Sequence, residues 1–473
     1  MADFGSTYTK AVAADLESGA ILGRAQSPTT TETDITLGFA RALEGLRETC
    51  GLGPEDIHAR YACSSAAGGL KIAAVGLVPD LTLKAAQRAA LGAGAKILCA
   101  YGYEIDQGIV EEIEGFGCDI VLLCGGTDGG DKKTILHNAG MLAGSGLACP
   151  VLVCGNRAAS REANEILEAG GKLAYTARNV LPEIDRVEVE PAQGLIRDIF
   201  IDHIVKAKGL EKARAMIQKD IIPTPMASLM AAALLADGAG SEPGIGSLLM
   251  VEVGGATTNI HSVEDNKAAT PKTLVRGLPE SRVSRTVEGD MGIRYNARTI
   301  YGLAGGERLA GLARALGPGA PEGVADPDAY TRLVSGDVAH VPQGEAEGLM
   351  DAALAKTAVG IATGRHAGYL KSELTAAGEV SIQYGKNLLG VKNLIGTGGI
   401  FKYGSLPAAV LGSAVFSDSE PWSLRPRAPK AWVDSEYIMY AVGLLSQDHP
   451  EAALRIAKRY LAPIDIVVQE GDL

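Results

Sequence analysis

The feature that most constrains this chain is a layout that occurs twice. Residues 3–19, DFGSTYTKAVAADLESG, and residues 252–266, EVGGATTNIHSVEDN, share it: a strand ending on a carboxylate, an apolar-glycine step, a turn rich in small hydroxyls, a second strand and an acidic turn. Glycine lets backbone N–H groups approach oxyanions closely, Ser and Thr add donors, and an acid at the strand end holds Mg²⁺ through water. One such hairpin is a common turn. Two, one in each half of the chain, are what a triphosphate gripped from both sides requires.

A chain of 473 residues exceeds what one core usually supports, so two lobes with an insertion are expected. The first lobe is predicted over residues 1–240 and the second over 241–473. From about residue 57 to 201 short apolar strands (HARYACSS, KILCAYG, DIVLLCGG, PVLVCGN, KLAYTARNV) alternate with helical runs such as LTLKAAQRAALGAG and SREANEILEAGG, the pattern of an inserted parallel α/β region. Asp34 is placed to cap a helix ending at Gly51, and paired prolines open another over residues 222–238. A long helix is predicted around residues 345–377, after a Pro/Gly-rich loop from Gly317 to Pro327.

A third element follows both hairpins. Gly396, Thr397, Gly398 and Gly399 come directly after the apolar stretch NLI, and a turn of this kind lets the chain pass close under a flat ring before starting a helix. Neither a GxxxxGK[ST] loop nor a GxGxxG turn opening a βαβ unit occurs, so those two phosphate-binding schemes are set aside.

Charge and composition narrow the partners. Lys+Arg 44 against Asp+Glu 56 gives a net charge of −12 with no dense basic run, which disfavours nucleic acid and leaves a protein or a small molecule. The seven cysteines, Cys50, Cys63, Cys99, Cys118, Cys124, Cys149 and Cys154, form no CxxC and sit mostly in apolar runs, so they read as reduced core residues. His203, His261 and His366 are isolated, which argues against a zinc site or a His-based nucleophile, and Ser64 and Ser65 lack the GxSxG elbow. No apolar run reaches membrane-spanning length and no leader pattern opens the chain, so a cytoplasmic location is expected.

Six motifs in order, DFGSTYTK, SSAAGGLK, GGTDGGD, PVLVCGN, EGDMGIR and GTGGIF, together spanning most of the chain, resemble the MutL (GlmL) accessory-protein family of glutamate mutase and related cobalamin-dependent aminomutases, unrelated to mismatch-repair MutL. The resemblance implies an α/β, actin-like ATPase (ribonuclease H-like) fold with two lobes around a nucleotide cleft. It also implies a role as a reactivating chaperone that helps exchange damaged cobalamin on a mutase. Two departures stand out: only Met1 and Ala2 precede Asp3, which predicts a short first strand, and Glu252 stands where much of the wider superfamily carries Asp.

On this reading the cofactors are ATP and Mg²⁺ and turnover is slow. Asp3 is the Mg²⁺-proximal carboxylate. Gly5, Ser6, Thr7 and Thr9 cradle the β- and γ-phosphates with Lys10 as a point charge. Glu252 orients the attacking water, Gly254, Gly255, Thr257 and Thr258 form the second clamp, and Gly396 to Gly399 line the adenosine. Asp128, in the glycine-rich, acidic loop Gly125–Asp131, which is expected to be flexible, lies at the carboxyl end of a strand, where open α/β sheets bind ligands. Self-association stays open. Rival readings are a small-molecule kinase using Asp128, Asp131 or Asp290 as base, a filament-forming ATPase, and a dehydratase activator, against which the strand-borne cysteines argue.

Overall fold

The computed structural model describes residues 1–30, 34–53, 56–65, 70–93, 95–184, 186–199, 216–217, 219–317, 323–375 and 378–466. The chain divides into two compact units. One comprises Met1–Gly68, Ala213–Arg276 and Glu280–Leu473; the other comprises Gly69–Lys212 with Gly277–Pro279.

In the first unit the strands Ala2–Phe4, Tyr8–Asp15 and Ala20–Pro28 form an antiparallel meander. Ala62–Ser64 adds parallel to the first of them, and Ile221–Pro223 adds parallel to that. The first strand has three residues, and the Met1 ammonium donates to the Val12 carbonyl at 2.8 Å. Helix Ile35–Cys50 covers the meander. Asp34 caps it by accepting from the Thr36 amide at 3.0 Å, and Gly51 closes it in the left-handed conformation at φ 67°.

A second sheet in the same unit repeats the scheme. Leu248–Val253, Thr258–Val263 and Val283–Glu288 form an antiparallel meander, Asn393–Gly398 adds parallel to the first strand, and Lys430–Asp434 adds parallel to that. Leu461–Ile464 closes the far edge antiparallel. Both sheets therefore run third, second, first, fourth, fifth. A meander extended on its first strand by two parallel strands, made twice, is the duplicated ribonuclease H-like arrangement of the actin-like ATPases.

Burial explains the sequence of the central strand. LLMVEV is covered on both faces: Leu249, Val251 and Val253 join one core with the helix Gly344–His366, while Leu248 and Met250 join a second core with the helices Thr224–Asp237 and Met439–Leu445. Glu252 shares the face of Leu248 and Met250 and is 7% exposed, so a charge sits where the pattern asks for an apolar side chain. Gly443 lies so close to the Ala227 carbonyl that no side chain fits between those two helices.

The second unit is a wholly parallel five-stranded sheet in the order Ala95–Gly102, Leu70–Gly76, Ile120–Leu123, Val151–Val153, Ala174–Thr176. Helices Gln107–Phe116, Lys133–Ala143 and Arg157–Ala169 pack on one face around Val75, Val121, Leu123 and Val153. The inserted parallel α/β region is thus present.

Some expectations shift. The strand predicted within HARYACSS is reduced to Ala62–Ser64 and pairs in the first sheet of the other unit. The helix expected to reach residue 377 ends at His366, and Tyr369–Thr375 instead pairs antiparallel with Gly378–Tyr384. Gly368 breaks the run, since a side chain there would strike the backbone of Tyr384 and Gly385. Of SSAAGGLK, residues 66–69 lie outside the described residues, as do 318–322 of the Gly317–Pro327 loop and residues 200–201 at the end of the insertion. Among the described residues no helix is long and apolar enough to cross a membrane.

Candidate functional site

Both hairpin turns lie in the first unit and meet there. A Cβ built on Gly255 would stand 3.1 Å from Thr7 Oγ1 and 3.5 Å from Arg294 Cβ, and the Tyr295 hydroxyl donates to the Ser6 carbonyl at 3.3 Å. Each turn is closed from within: the Gly5 amide donates to the Tyr8 carbonyl at 3.1 Å, and the Gly254 amide to the Thr257 carbonyl at 2.9 Å. At Gly5 a side chain is excluded, because its Cβ would lie 2.5 Å from the Tyr8 carbonyl oxygen.

The segment EGDMGIR folds beneath the second turn. Arg294 and Tyr295 amides donate to the Gly255 carbonyl at 2.9 and 3.0 Å, and the Thr258 hydroxyl donates to the Met291 carbonyl at 2.7 Å. Arg294 is locked in turn by a two-pronged ion pair to Asp351 at 2.6 and 3.1 Å, so the turn rests on a rigid footing.

Two carboxylates and one ammonium form the charged centre. Asp3 is 2% exposed; its Oδ2 accepts from Lys10 Nζ at 3.0 Å and its Oδ1 from the Thr224 hydroxyl at 2.7 Å and, weakly, from the Cys63 thiol at 3.5 Å. Lys10 also donates to the Tyr437 hydroxyl at 3.0 Å and lies 4.2 Å from that ring's centre. Burial works to lower the Lys10 ammonium, but the Tyr437 oxygen and the Asp3 carboxylate outweigh it and hold it well above its ordinary range.

Glu252 accepts from Asn259 Nδ2 at 3.0 Å and from His261 Nε2 at 3.4 Å. Burial pushes its carboxyl up, yet the His261 ring, the Asn259 amide and the Lys10 charge together bring it below the usual range. His261 itself is pushed down by burial, so the ring is neutral and donates through Nε2. On the next strand Arg285 stands opposite His261 in register. It is 4% exposed, and none of its three guanidinium nitrogens has a partner among the described residues. Burial pushes it down to about 9.

The remaining candidates divide. Ser6 donates to the Ser65 carbonyl at 2.8 Å, and the wholly buried Thr9 bonds Thr29 at 3.1 Å, so Thr7 is the hydroxyl of the first turn that faces the second. Gly396 and Gly398 have structural reasons to be glycine: a Cβ on Gly396 would lie 2.7 Å from the Phe401 ring, and Gly398, at φ 120°, abuts the Val253 carbonyl. Thr397 donates to Asp434 Oδ2 at 2.8 Å, and a five-residue helix starts at Gly399.

Asp128 and its loop belong to the second unit. The loop expected to be flexible is tied down: buried Asn156 donates to the Gly130 and Asp131 carbonyls at 3.1 and 2.9 Å and accepts from the Gly129 amide at 3.0 Å. Asp128 accepts from the Arg157 amide and from Asn179, and Asp131 from the Thr134 amide at 3.1 Å. Asp290 pairs with Arg365 at 2.9 Å. All three acids weighed as kinase bases thus hold structural contacts.

Sequence reasoning missed Thr224, Asn259, His261, Arg285, Asp434 and Tyr437. Only Asn259 and His261 gave a signal: alternating strand positions on the face of the predicted carboxylate. Among the described residues no group of three or more His, Cys, Asp or Glu side chains is placed to hold a metal alone. Asp3 and Glu252 share the centre with the cations Lys10 and Arg285. Such carboxylates suit Mg²⁺ held through its waters, since that ion keeps its hydration and travels on phosphates.

A family model described as MutL protein matches residues 1–461. Protein MutL of Clostridium tetanomorphum is 42% identical over 462 residues, covering 98% of each chain. Among solved structures, a xylulose kinase from Bifidobacterium adolescentis aligns over 99% of this chain and 96% of its own at 13% identity and a TM-score of 0.33. A carbohydrate kinase from Novosphingobium aromaticivorans aligns over 98% and 93% at 13% identity and a TM-score of 0.27. At such values the fold rests on the repeated strand order and not on the two kinases.

Proposed function

The chain belongs to the MutL protein family, and from that premise we propose that it is an ATP-binding accessory protein that reactivates a cobalamin-dependent aminomutase of the glutamate mutase kind. The observation that carries the nucleotide half is the meeting of the hairpins: Thr7 opposes Gly255, and Lys10 serves Asp3 while also acting on Glu252. The mutase half rests on the six shared motifs.

In this reading Thr7 and the amides of the two turns bind phosphate oxygens, Lys10 neutralises them, and Asp3 holds Mg²⁺ through its waters. When bound, Mg²⁺ neutralises charge on the phosphates. Glu252, kept ionised by His261 and Asn259, accepts a hydrogen bond from the attacking water and orients it. Turnover is slow because lobe motion, not chemistry, limits it. The lobe boundary near residue 240, the adenosine-lining role of Gly396 to Gly399 and the cytoplasmic location belong to the same proposal.

The test uses the whole protein and a cobalamin-dependent mutase inactivated by turnover. ATP, ADP or no nucleotide is added with fresh cobalamin, and recovered activity is followed. Recovery that needs ATP supports the proposal. Stoichiometric phosphorylation of a small hydroxylated metabolite, with no mutase rescued, replaces it with the kinase reading. No stabilisation by any nucleotide sinks both, since a ligand at 100 times its Kd adds about 2.7 kcal/mol.

A further inference from the structure

We infer that the carboxyl edge of the parallel sheet in the second unit is a ligand site in its own right, shaped for a broad, flat, weakly charged ring system with a hydrogen-bonding rim. In chain order its strands lie second, first, third, fourth, fifth. The chain leaves the first strand, Leu70–Gly76, toward the helix Lys84–Ala93 and leaves the third, Ile120–Leu123, toward Lys133–Ala143. The latter helix packs on the face that carries Val75 and Val121, whereas Lys84–Ala93 packs against the helix Glu190–Ile199, with Gly92 pressed on Gln193. Two neighbouring parallel strands whose connections part to opposite faces open a crevice at their carboxyl ends, and open α/β sheets bind their ligands there.

The crevice is preformed. After Gly76 the chain makes a π-helical turn over Pro79–Leu83, an uncommon geometry often found at functional positions, and Thr82 Oγ1 pins it by accepting from the Leu77 and Val78 amides at 3.0 and 2.9 Å. Beside it Tyr103 adopts the left-handed conformation at φ 68°, with its amide on the Leu77 carbonyl at 3.0 Å and its carbonyl on Asn138 at 2.9 Å. Tyr103 is 63% exposed. A non-glycine residue held there, one position after Gly102, on which a Cβ would lie 2.9 Å from Pro79, is strain kept at the carboxyl edge. On the other side Gly126, at φ 71°, leaves no room for a side chain against the Asp131 carbonyl, and Asn156 and Asn179 fix the loop.

Charge selects the ligand class. Phosphate-bearing ligands at such crevices sit on free helix N-termini. At the helices after the third and fourth strands these amides are already occupied by the protein's own groups: Thr134 by Asp131, Arg157 by Asp128 and Ala158 by Asn156. The nearby cations Lys133 and Arg157 face Glu104 and Asp128 at 3.8 and 3.9 Å. A phosphate anchor is therefore disfavoured, while a ring face against the exposed Tyr103, with amide-like rim groups on the loop backbone, is favoured. A corrinoid has that chemistry; choosing it among flat ligands rests on the proposed function, whereas the site itself does not.

Full-length protein is titrated with hydroxocobalamin, followed by its visible spectrum and by equilibrium dialysis, with FMN and ATP in parallel arms. Tyr103→Gly removes the ring and fits φ 68° without strain, so it keeps the fold. Hydroxocobalamin binding is expected to weaken about tenfold in Tyr103→Gly, the loss of one good stacking contact, with ATP binding unchanged. Absence of hydroxocobalamin binding in protein that binds ATP overturns the inference, as does binding indifferent to Tyr103→Gly. FMN binding that depends on Tyr103 also overturns it, in favour of a ligand anchored by a terminal phosphate. Hydroxocobalamin binding without any ATP binding would instead sink the nucleotide reading and leave this site standing.

Discussion

The Tyr437 hydroxyl lies 3.0 Å from Lys10 Nζ, tying the end of the second sheet's fifth strand to the first hairpin. Tyr437 reaches it from the left-handed conformation at φ 54°, immediately before Ile438 and Met439, whose amides cap onto Asp434. A triphosphate that takes Lys10 must draw it from this phenol.

Tyr437→Phe therefore keeps the ring under the ammonium but removes the competing acceptor. We expect a stability loss of about 1 kcal/mol, the net worth of one hydrogen bond, together with ATP affinity equal to or a few-fold tighter than the native protein's. Lys10→Met should do the reverse. It leaves buried Asp3 without its cation, destabilising the fold by about 3 kcal/mol, and weakens ATP at least roughly tenfold. Denaturant melts and calorimetry check both; ATP binding unaffected by Lys10→Met removes Lys10 from the phosphate site.

Asp3 and Glu252 should separate in their effects. Asp3→Asn is expected to weaken nucleotide binding in the presence of Mg²⁺ and to change it little without the metal. Glu252→Gln should retain binding and lower turnover roughly a hundredfold, the usual contribution of a group that handles the proton of a water. Single-turnover hydrolysis measured beside binding distinguishes the two. Unchanged turnover in Glu252→Gln would exclude the orienting role.

What the sequence made legible were features carried by neighbours in the chain. The repeated hairpin, the Asp34 and Gly51 caps and the alternation of the inserted region are local patterns, and each appears in the fold. The partners of those features were not legible. Thr224 lies 221 residues from Asp3, and Tyr437 lies 427 from Lys10, so no spacing marks either contact. Asp434 reads as an ordinary strand end until Thr397 and two amides converge on it. The helix expected to run on to residue 377 shows the converse: its local preference yields where Tyr369–Thr375 finds a strand to pair with.

Asp434 gives the fold a signed pH dependence. Burial raises its carboxyl to about 6 from 3.8, and Oδ1 has no partner among the described residues. Between those values the folded state holds more protons than the unfolded, so this group's contribution is fully present below pH 3.8 and is lost as pH rises through 6. Asp434→Asn cannot titrate. Relative to the native protein, its stability should climb by about 3 kcal/mol from pH 4 to 7. A lost cap would lower the variant equally at every pH, so the slope is the readout. Parallel stability curves for the two proteins would refute the assignment.

Arg285 tests how the fold sustains a buried charge. Its guanidinium lies opposite His261 on the face of Glu252, with no hydrogen-bond partner among the described residues, and burial lowers it to about 9 although the Glu252 carboxylate acts to raise it. A buried charge without hydrogen bonds carries a desolvation penalty that an apolar side chain of similar volume does not. Arg285→Met is thus expected to unfold at equal or higher denaturant concentration than the native protein. A second consequence follows from electrostatics. Burial chiefly, and the Arg285 charge in addition, lower His261, so its removal should let the imidazole titrate closer to its ordinary range. Proton NMR of the His261 ring would show that rise. A variant destabilised by several kcal/mol would mean that the guanidinium is bound by something the fold depends on, and the expectation for Arg285 would then fail.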